Sequence, residues 1–125
     1  MSIIVTDTGF AADDWPAGAP ILDLASDADP AEVTLDPAPA MIRVAFPSFA
    51  DGRGFTIARQ LRLRGYTGRL RAQGHVIADQ YAMARRSGFD EVEISEDLAA
   101  RQPAEQWKFR ADWRAHDYQS RLRAG

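Results

Sequence analysis

A chain of 125 residues with 46% hydrophobic and 26% charged residues has the composition of one ordinary globular domain. It has no cysteine, which excludes disulfides, cysteine-ligated iron–sulfur clusters, thiolate zinc sites and thiol catalysis. No apolar run approaches the ~20 residues that cross a bilayer, and the first ten residues lack a signal-peptide pattern. We therefore expect a cytoplasmic protein without membrane partners.

Charge is distributed unevenly along the chain. Residues 1–40 contain eight acidic and no basic residues, whereas residues 41–125 contain fifteen basic and ten acidic residues. Nine arginines fall between Arg43 and Arg86. Because guanidinium groups bind phosphate, sulfate and carboxylate well, this pattern predicts a positive surface for an oxyanion or an acidic partner. A merely solvated surface is the alternative, and the acidic N-terminal part disfavours nucleic acid.

The N-terminal part contains two short apolar runs. Residues 2–5 and 21–24 are predicted to pair as a hairpin around the turn signals between residues 15 and 20. Residues 27–40 include three prolines and are predicted to form a connector. We therefore divide the chain into an acidic extension, residues 1–40, and a main α/β domain, residues 41–125.

From residue 41 the pattern becomes regular. Strands are predicted at 41–46, 69–72 and 91–94, helices at about 53–64 and 75–87, and a third helix start at Ser95. Strands separated by helices lie parallel, and the chain is too short for an eight-stranded barrel. The predicted fold class is therefore α/β: a small open parallel sheet of repeated βα units, either flavodoxin-like or a partial-barrel fragment, with an N-terminal β accessory segment.

The pattern in residues 107–113 is ambiguous. Aromatic and apolar residues alternate with charged ones, which favours a strand, whereas Pro103 and the flanking polar residues suit a helix. We predict an extended segment.

The candidate site lies at the carboxyl ends of the predicted parallel strands. Loops 48–54, 73–75 and 95–97 meet there, and ligands of such sheets bind at this edge. Arg53, Arg71 and Arg86 are expected to contribute to one positive surface. The predicted binding residues are Ser48, Asp51, Arg53, Arg71, Gln73, His75, Asp79, Gln80 and Arg86.

Two motifs near this edge allow a functional or a structural interpretation. Gly52-Arg53-Gly54 could expose amides to phosphate or sulfate, or form a simple tight turn. His75 and Asp79 share one helix face if the helix begins at His75, but two ligands do not make a metal site. No dinucleotide, triphosphate or nucleophile-elbow motif is present, so we expect neither a metal nor a cofactor.

Three segments, residues 49–62, 70–80 and 85–90, resemble the bacterial family known as domain of unknown function 934. The resemblance covers about residues 41–119. Where the family usually has Asp and often Cys, this chain has His75 and Ser87, which counts against catalysis by these two positions.

The family is labelled an oxidoreductase of sulfite reduction because its genes commonly neighbour sulfite reductase. The resemblance therefore implies an accessory protein of assimilatory sulfite reduction that docks on the reductase, or on another sulfur-assimilation protein, or binds an oxyanion through an arginine-rich edge. The alternative is a small enzyme acting on an anionic substrate at the same edge.

Overall fold

The computed structural model describes residues 2–111, which form six strands and four helices. The strands are β1 (Ser2–Thr6), β2 (Gly9–Ala11), β3 (Leu22–Leu24), β4 (Met41–Phe46), β5 (Arg69–Gly74) and β6 (Glu91–Ser95). The helices are α1 (Arg53–Leu63), α2 (Tyr81–Ser87), α3 (Glu96–Arg101) and α4 (Ala104–Phe109), and single 3-10 turns occur at Pro30–Glu32 and Ala78–Gln80.

The six strands form one open sheet in the order β2-β1-β6-β5-β4-β3. Strands β3 to β6 are parallel, whereas β1 is antiparallel to both β6 and β2. This confirms the predicted α/β class, the parallel arrangement of the three main strands and an open sheet in place of a closed barrel.

The N-terminal strands join this sheet separately. β1 lies between β2 and β6, and β3 is the edge strand beside β4, so the predicted pairing of residues 2–5 with 21–24 is wrong. Pairing with β6 sets Val5 beside Val92 in the buried core, which a local hairpin would not achieve. The division of the chain at residue 40 stays a prediction, although strands from both parts share the sheet.

One face of the sheet carries the hydrophobic core. Alternate side chains of β4, namely Ile42, Val44 and Phe46, are buried in a cluster to which α1 and α2 also contribute. The first turn of α1 lies directly on Phe46, because a Cβ at Gly54 would come within 2.5 Å of its ring. This contact fixes the start of α1 at the carboxyl end of β4.

Helix α4 replaces the extended segment predicted for residues 107–113. Pro103 precedes its first turn, and Trp107 is fully buried with its ring edge-on to Tyr81 at a centroid distance of 6.1 Å. Burial of this one large ring outweighs the period-two pattern, so the predicted extended segment is wrong up to Phe109. Residues 112 and 113 lie outside the described range.

No helix within residues 2–111 combines the length and apolar character needed to cross a membrane.

Charged side chains cover the opposite face of the sheet. Arg43 of β4 binds Asp23 of β3 through Nε at 2.6 Å and Glu93 of β6 through Nη1 at 3.1 Å. Arg69, at the start of β5, binds Glu91 of β6 at 2.6 Å. These ion pairs connect four neighbouring strands across the face.

Arg71 lies at the centre of this charged face and is fully buried. Its Nε donates to Glu91 at 2.5 Å and its Nη1 to Glu93 at 2.8 Å, while Asp13 accepts from both terminal nitrogens at 3.1 Å. Burial opposes the charge of Arg71, but its bonds to Asp13 and the charge of Glu91 outweigh this effect and raise its pKa. Arg71 therefore does not contribute to the positive surface that we predicted for Arg53, Arg71 and Arg86.

Residues 12–21, which we call the strap, bring Asp13 to this position. They connect β2 and β3 at opposite edges of the sheet and therefore cross the charged face. Asp14 binds Arg69 at 2.6 Å, and the Trp15 ring lies 5.6 Å from the same guanidinium. Hydrogen bonds from Arg71 and Arg69 lower the pKa of Asp13 and Asp14, respectively.

We predict that Arg71→Met destabilises the protein strongly, because Glu91 and Glu93 remain buried without their central cation. Removing one partner of a buried ion pair typically costs roughly 3–5 kcal/mol. Urea unfolding measures the change, with Arg59→Gln on the exposed side of α1 as a control expected to cost less than about 0.5 kcal/mol. An Arg71 variant as stable as the control would contradict this network.

We also predict that the strap is weakened by acid. Because the pKa of folded Asp13 lies below its ordinary 3.8, its ion pair stabilises the fold fully above that value and is lost as the pH falls through the lowered pKa. Asp13→Asn should therefore reduce the free energy of unfolding most at about pH 7, and by less at about pH 3, which lies below the unfolded pKa. Glu32→Gln is the control, and an equal effect of Asp13→Asn at both pH values would contradict the prediction.

Candidate binding site at the C-terminal edge of the sheet

The carboxyl ends of β4 and β5 meet closely because Gly74 follows Gln73 at the end of β5. Gly74 has φ +121°, and a Cβ at this position would lie 2.6 Å from the carbonyl oxygen of Phe46. The amide of His75 donates to the same oxygen at 2.9 Å. The turn is thereby held against β4, and His75 is exposed at the edge.

A cavity of about 410 Å³ opens beside His75, and we call it the edge cavity. Its polar lining consists of His75, Arg101 and Gln102, and its apolar lining of Phe49, Ile77 and Leu98. Phe49 is 60% exposed, so its apolar surface is accessible from solvent at the mouth of the cavity. The volume lies within the range of small-molecule sites.

Two glutamines hold the walls of the edge cavity together. Gln80 accepts from the amide of Ile77 at 3.1 Å and donates to the carbonyl of Phe49 at 2.7 Å. Gln102 accepts from the amide of Ala78 at 2.6 Å, which occupies its oxygen and leaves its NH2 group as the donor. The predicted residue Gln80 therefore supports the cavity walls.

A second, smaller cavity of about 160 Å³ shares His75 with the first. Gln73, Ser95 and Ser2 also line it, and Glu93 lies in its wall. Ser2 donates to Glu93 at 3.1 Å, and Ser95 accepts from the amide of Leu98 at 3.1 Å as the cap of α3. His75 thus separates a polar cavity from one with apolar walls.

Arg101 reaches the edge cavity because α3 is short. The helix begins at Glu96, beside the carboxyl end of β6, and Pro103 follows shortly after its last residue. Six residues span only about 9 Å, so the end of α3 remains near the edge where it starts.

Three predicted residues of the first loop lie together but outside the edge cavity. Asp51 accepts from Arg53 Nε at 2.9 Å and from its Nη2 at 2.8 Å, while Arg53 Nη2 also donates to Ser26 at 2.9 Å. The side chain and backbone bonds from Arg53 lower the pKa of Asp51. Ser48 accepts from the amide of Ala50 at 3.2 Å and closes its own turn.

The remaining predicted residues are also separated from the cavity. Asp79 pairs with Arg110 at 2.5 Å, and the helical turn starts at Ala78, so the helix start expected at His75 is wrong. Arg86 occupies the last turn of α2, toward the opposite edge of the sheet, so the single positive surface expected for three arginines does not form.

The sequence reasoning missed Phe49, Arg101 and Gln102. Phe49 lies in loop 48–54, which the sequence already assigned to the edge. A large apolar residue in a loop, shortly after Pro47, was a signal that could have identified it. No sequence motif marks Arg101 and Gln102. Their position at the edge depends on the length of α3.

Within residues 2–111, no three His, Cys, Asp or Glu side chains are grouped so that they could hold a metal ion.

Comparison with known proteins gives one match. A profile described as a bacterial protein of unknown function (DUF934) matches residues 21–124 and so includes β3 to β6 and the whole edge cavity. No curated protein and no solved structure matches the chain. The chain therefore belongs to the DUF934 family.

Proposed function

We propose that the protein binds an organic anion in the edge cavity and serves as a cytoplasmic accessory protein of assimilatory sulfite reduction. The binding role is supported by the position of Arg101. The pathway and the cytoplasmic location rest on the family resemblance and on the sequence pattern.

Most arginines within residues 2–111 are engaged by the chain itself. They donate to carboxylates or backbone carbonyls: Arg43, Arg53, Arg62, Arg64, Arg69, Arg71, Arg85 and Arg110. Arg59 and Arg101 make no hydrogen bond or ion pair with any residue from 2 to 111, and only Arg101 of these two lines a cavity. An anion entering the edge cavity would therefore meet an available guanidinium.

The size of the edge cavity favours a ligand larger than a bare oxyanion. Since a water molecule occupies about 30 Å³, an ion of four or five heavy atoms would fill only part of the volume. Phe49 and Leu98 line the rest of the cavity with apolar surface. The ligand class is thus an anionic head, such as a sulfonate or carboxylate, on an apolar or aromatic body.

We predict that benzenesulfonate binds more tightly than sulfate or sulfite, because only benzenesulfonate can bury a ring against Phe49. Arg101→Gln should weaken benzenesulfonate binding by roughly ten- to a hundredfold, as expected for the loss of a charge-assisted hydrogen bond. Isothermal titration calorimetry measures both comparisons. Phe49→Ala should remove most of the preference for benzenesulfonate over sulfate.

Arg53→Gln is the matched control, because Asp51 and Ser26 already occupy that guanidinium. Equal binding by the parent and the Arg101 variant, or a loss confined to the Arg53 variant, would refute the edge cavity as the anion site. The alternative of a small enzyme at this edge predicts that the anion is chemically altered, so recovery of unchanged ligand after incubation separates the two proposals.

A further inference from the structure

A groove of about 670 Å³ lies beside β3, at the edge of the sheet, and shares no residue with the edge cavity. We call it the β3 groove. Its walls include the apolar side chains Leu22, Leu24, Val33 and Pro37, and the acidic residues Asp29 and Glu32.

The β3 groove exists because the layer above the sheet is incomplete there. Helix α1 packs on β4, but the chain above β3 contains only the 3-10 turn Pro30–Glu32 and an irregular segment. Arg64 of α1 fixes this segment by donating to the carbonyls of Pro30 and Val33, at 2.5 and 2.8 Å. Leu22 and Leu24 therefore remain only half-buried.

The strand itself also has an open side. β3 pairs with β4 alone, so one row of its backbone groups faces away from the sheet. An unpaired edge next to apolar side chains is suited to the addition of another extended segment.

The charge around the groove selects the kind of segment. Residues 21–40 contain five acidic and no basic residues. Asp23 is neutralised by Arg43, but Asp29 and Glu32 form no ion pair within residues 2–111. The guanidinium of Arg64 donates to the carbonyls of Pro30 and Val33 and keeps its charge, so it offsets only part of the negative charge of Asp29 and Glu32. The groove therefore presents apolar walls with a negative rim.

We propose that the β3 groove docks an extended segment of another protein whose groove-facing side, formed by every second residue, carries both apolar residues and lysine or arginine. The segment's backbone would pair with β3, and its groove-facing side would place apolar groups against Leu22 and Leu24 and a cation near Asp29 and Glu32. A second copy offering the same edge would bring acidic residues against acidic residues, so self-association through β3 is disfavoured.

The test uses the full chain and three synthetic peptides of equal length in which every second residue is Ser. The residues between them are Val and Lys, Val and Glu, or Ser and Lys, so that both residue types lie on one side of the extended peptide. Backbone amide shifts of the labelled protein report where each peptide binds. The Val-Lys peptide should shift the amides of residues 22–24 and 28–39, whereas the other two should not. Glu32→Lys should weaken its binding roughly five- to tenfold. Glu105→Lys, on α4 at the far side of the sheet, is the matched control.

Equal binding of the Val-Lys and Val-Glu peptides, or shifts away from residues 22–39, would overturn the proposal. Two other occupants would also overturn it. A dimer seen by light scattering with protected β3 amides would assign the groove to a second copy. Contacts from residues 112–125, which contain Arg114, Arg121 and Arg123, would assign it to the chain itself.

Discussion

The buried guanidinium of Arg71 constrains the whole charged face of the sheet. A cation removed from water must be surrounded by carboxylates, and those of Glu91 and Glu93 come from β6 while that of Asp13 comes from the strap. This requirement keeps the adjacent strands β5 and β6 in register and holds the strap across the sheet. The strap in turn joins β2 to β3 at opposite edges, so one ion cluster links the N-terminal residues to the parallel core.

The ion cluster around Arg71 also shows that a high arginine content does not by itself indicate a docking surface. The run of arginines from residue 43 to 86 resembles a docking surface in the sequence, but most of them bind groups of the same chain. Within residues 2–111, two other surfaces are candidates for binding another molecule. At the carboxyl edge, Arg101 and His75 line a cavity with a hydrophobic wall. At the β3 edge, the acidic residues outnumber the available cations, so the surface there is negative.

The core of the fold could be predicted because its signals are local. The apolar residues of 41–46 and the amphipathic pattern of 53–64 indicate a strand and a helix, and parallel pairing follows from their order along the chain. The partners of β1 and β3 could not be predicted, because they depend on distant strands. Trp107 illustrates the same limit, since its burial against Tyr81 gives a helix where the local period favoured a strand.

The position of the candidate site could be predicted from the sequence, but only some of the residues that line it could be. The rule for parallel sheets located the edge, and Gln73, His75 and Gln80 line or support its cavities. Arg71 was assigned to the positive surface because it lies in the arginine-rich interval near the end of a strand. No sequence signal distinguishes an arginine that crosses a sheet face from one that faces water. Arg101 was missed because its role comes from the length of α3.

The central claim is that the arginines of the charged face belong to the fold and that Arg101 is available to a ligand. Nuclear magnetic resonance of the arginine Nε–H groups, recorded while benzenesulfonate is added, tests it most directly. The account predicts that the Arg71 signal is protected from hydrogen exchange and unmoved by the ligand, while the Arg101 signal shifts with saturation. A ligand-dependent shift of Arg71, or exchange as fast as that of exposed Arg59, would contradict it.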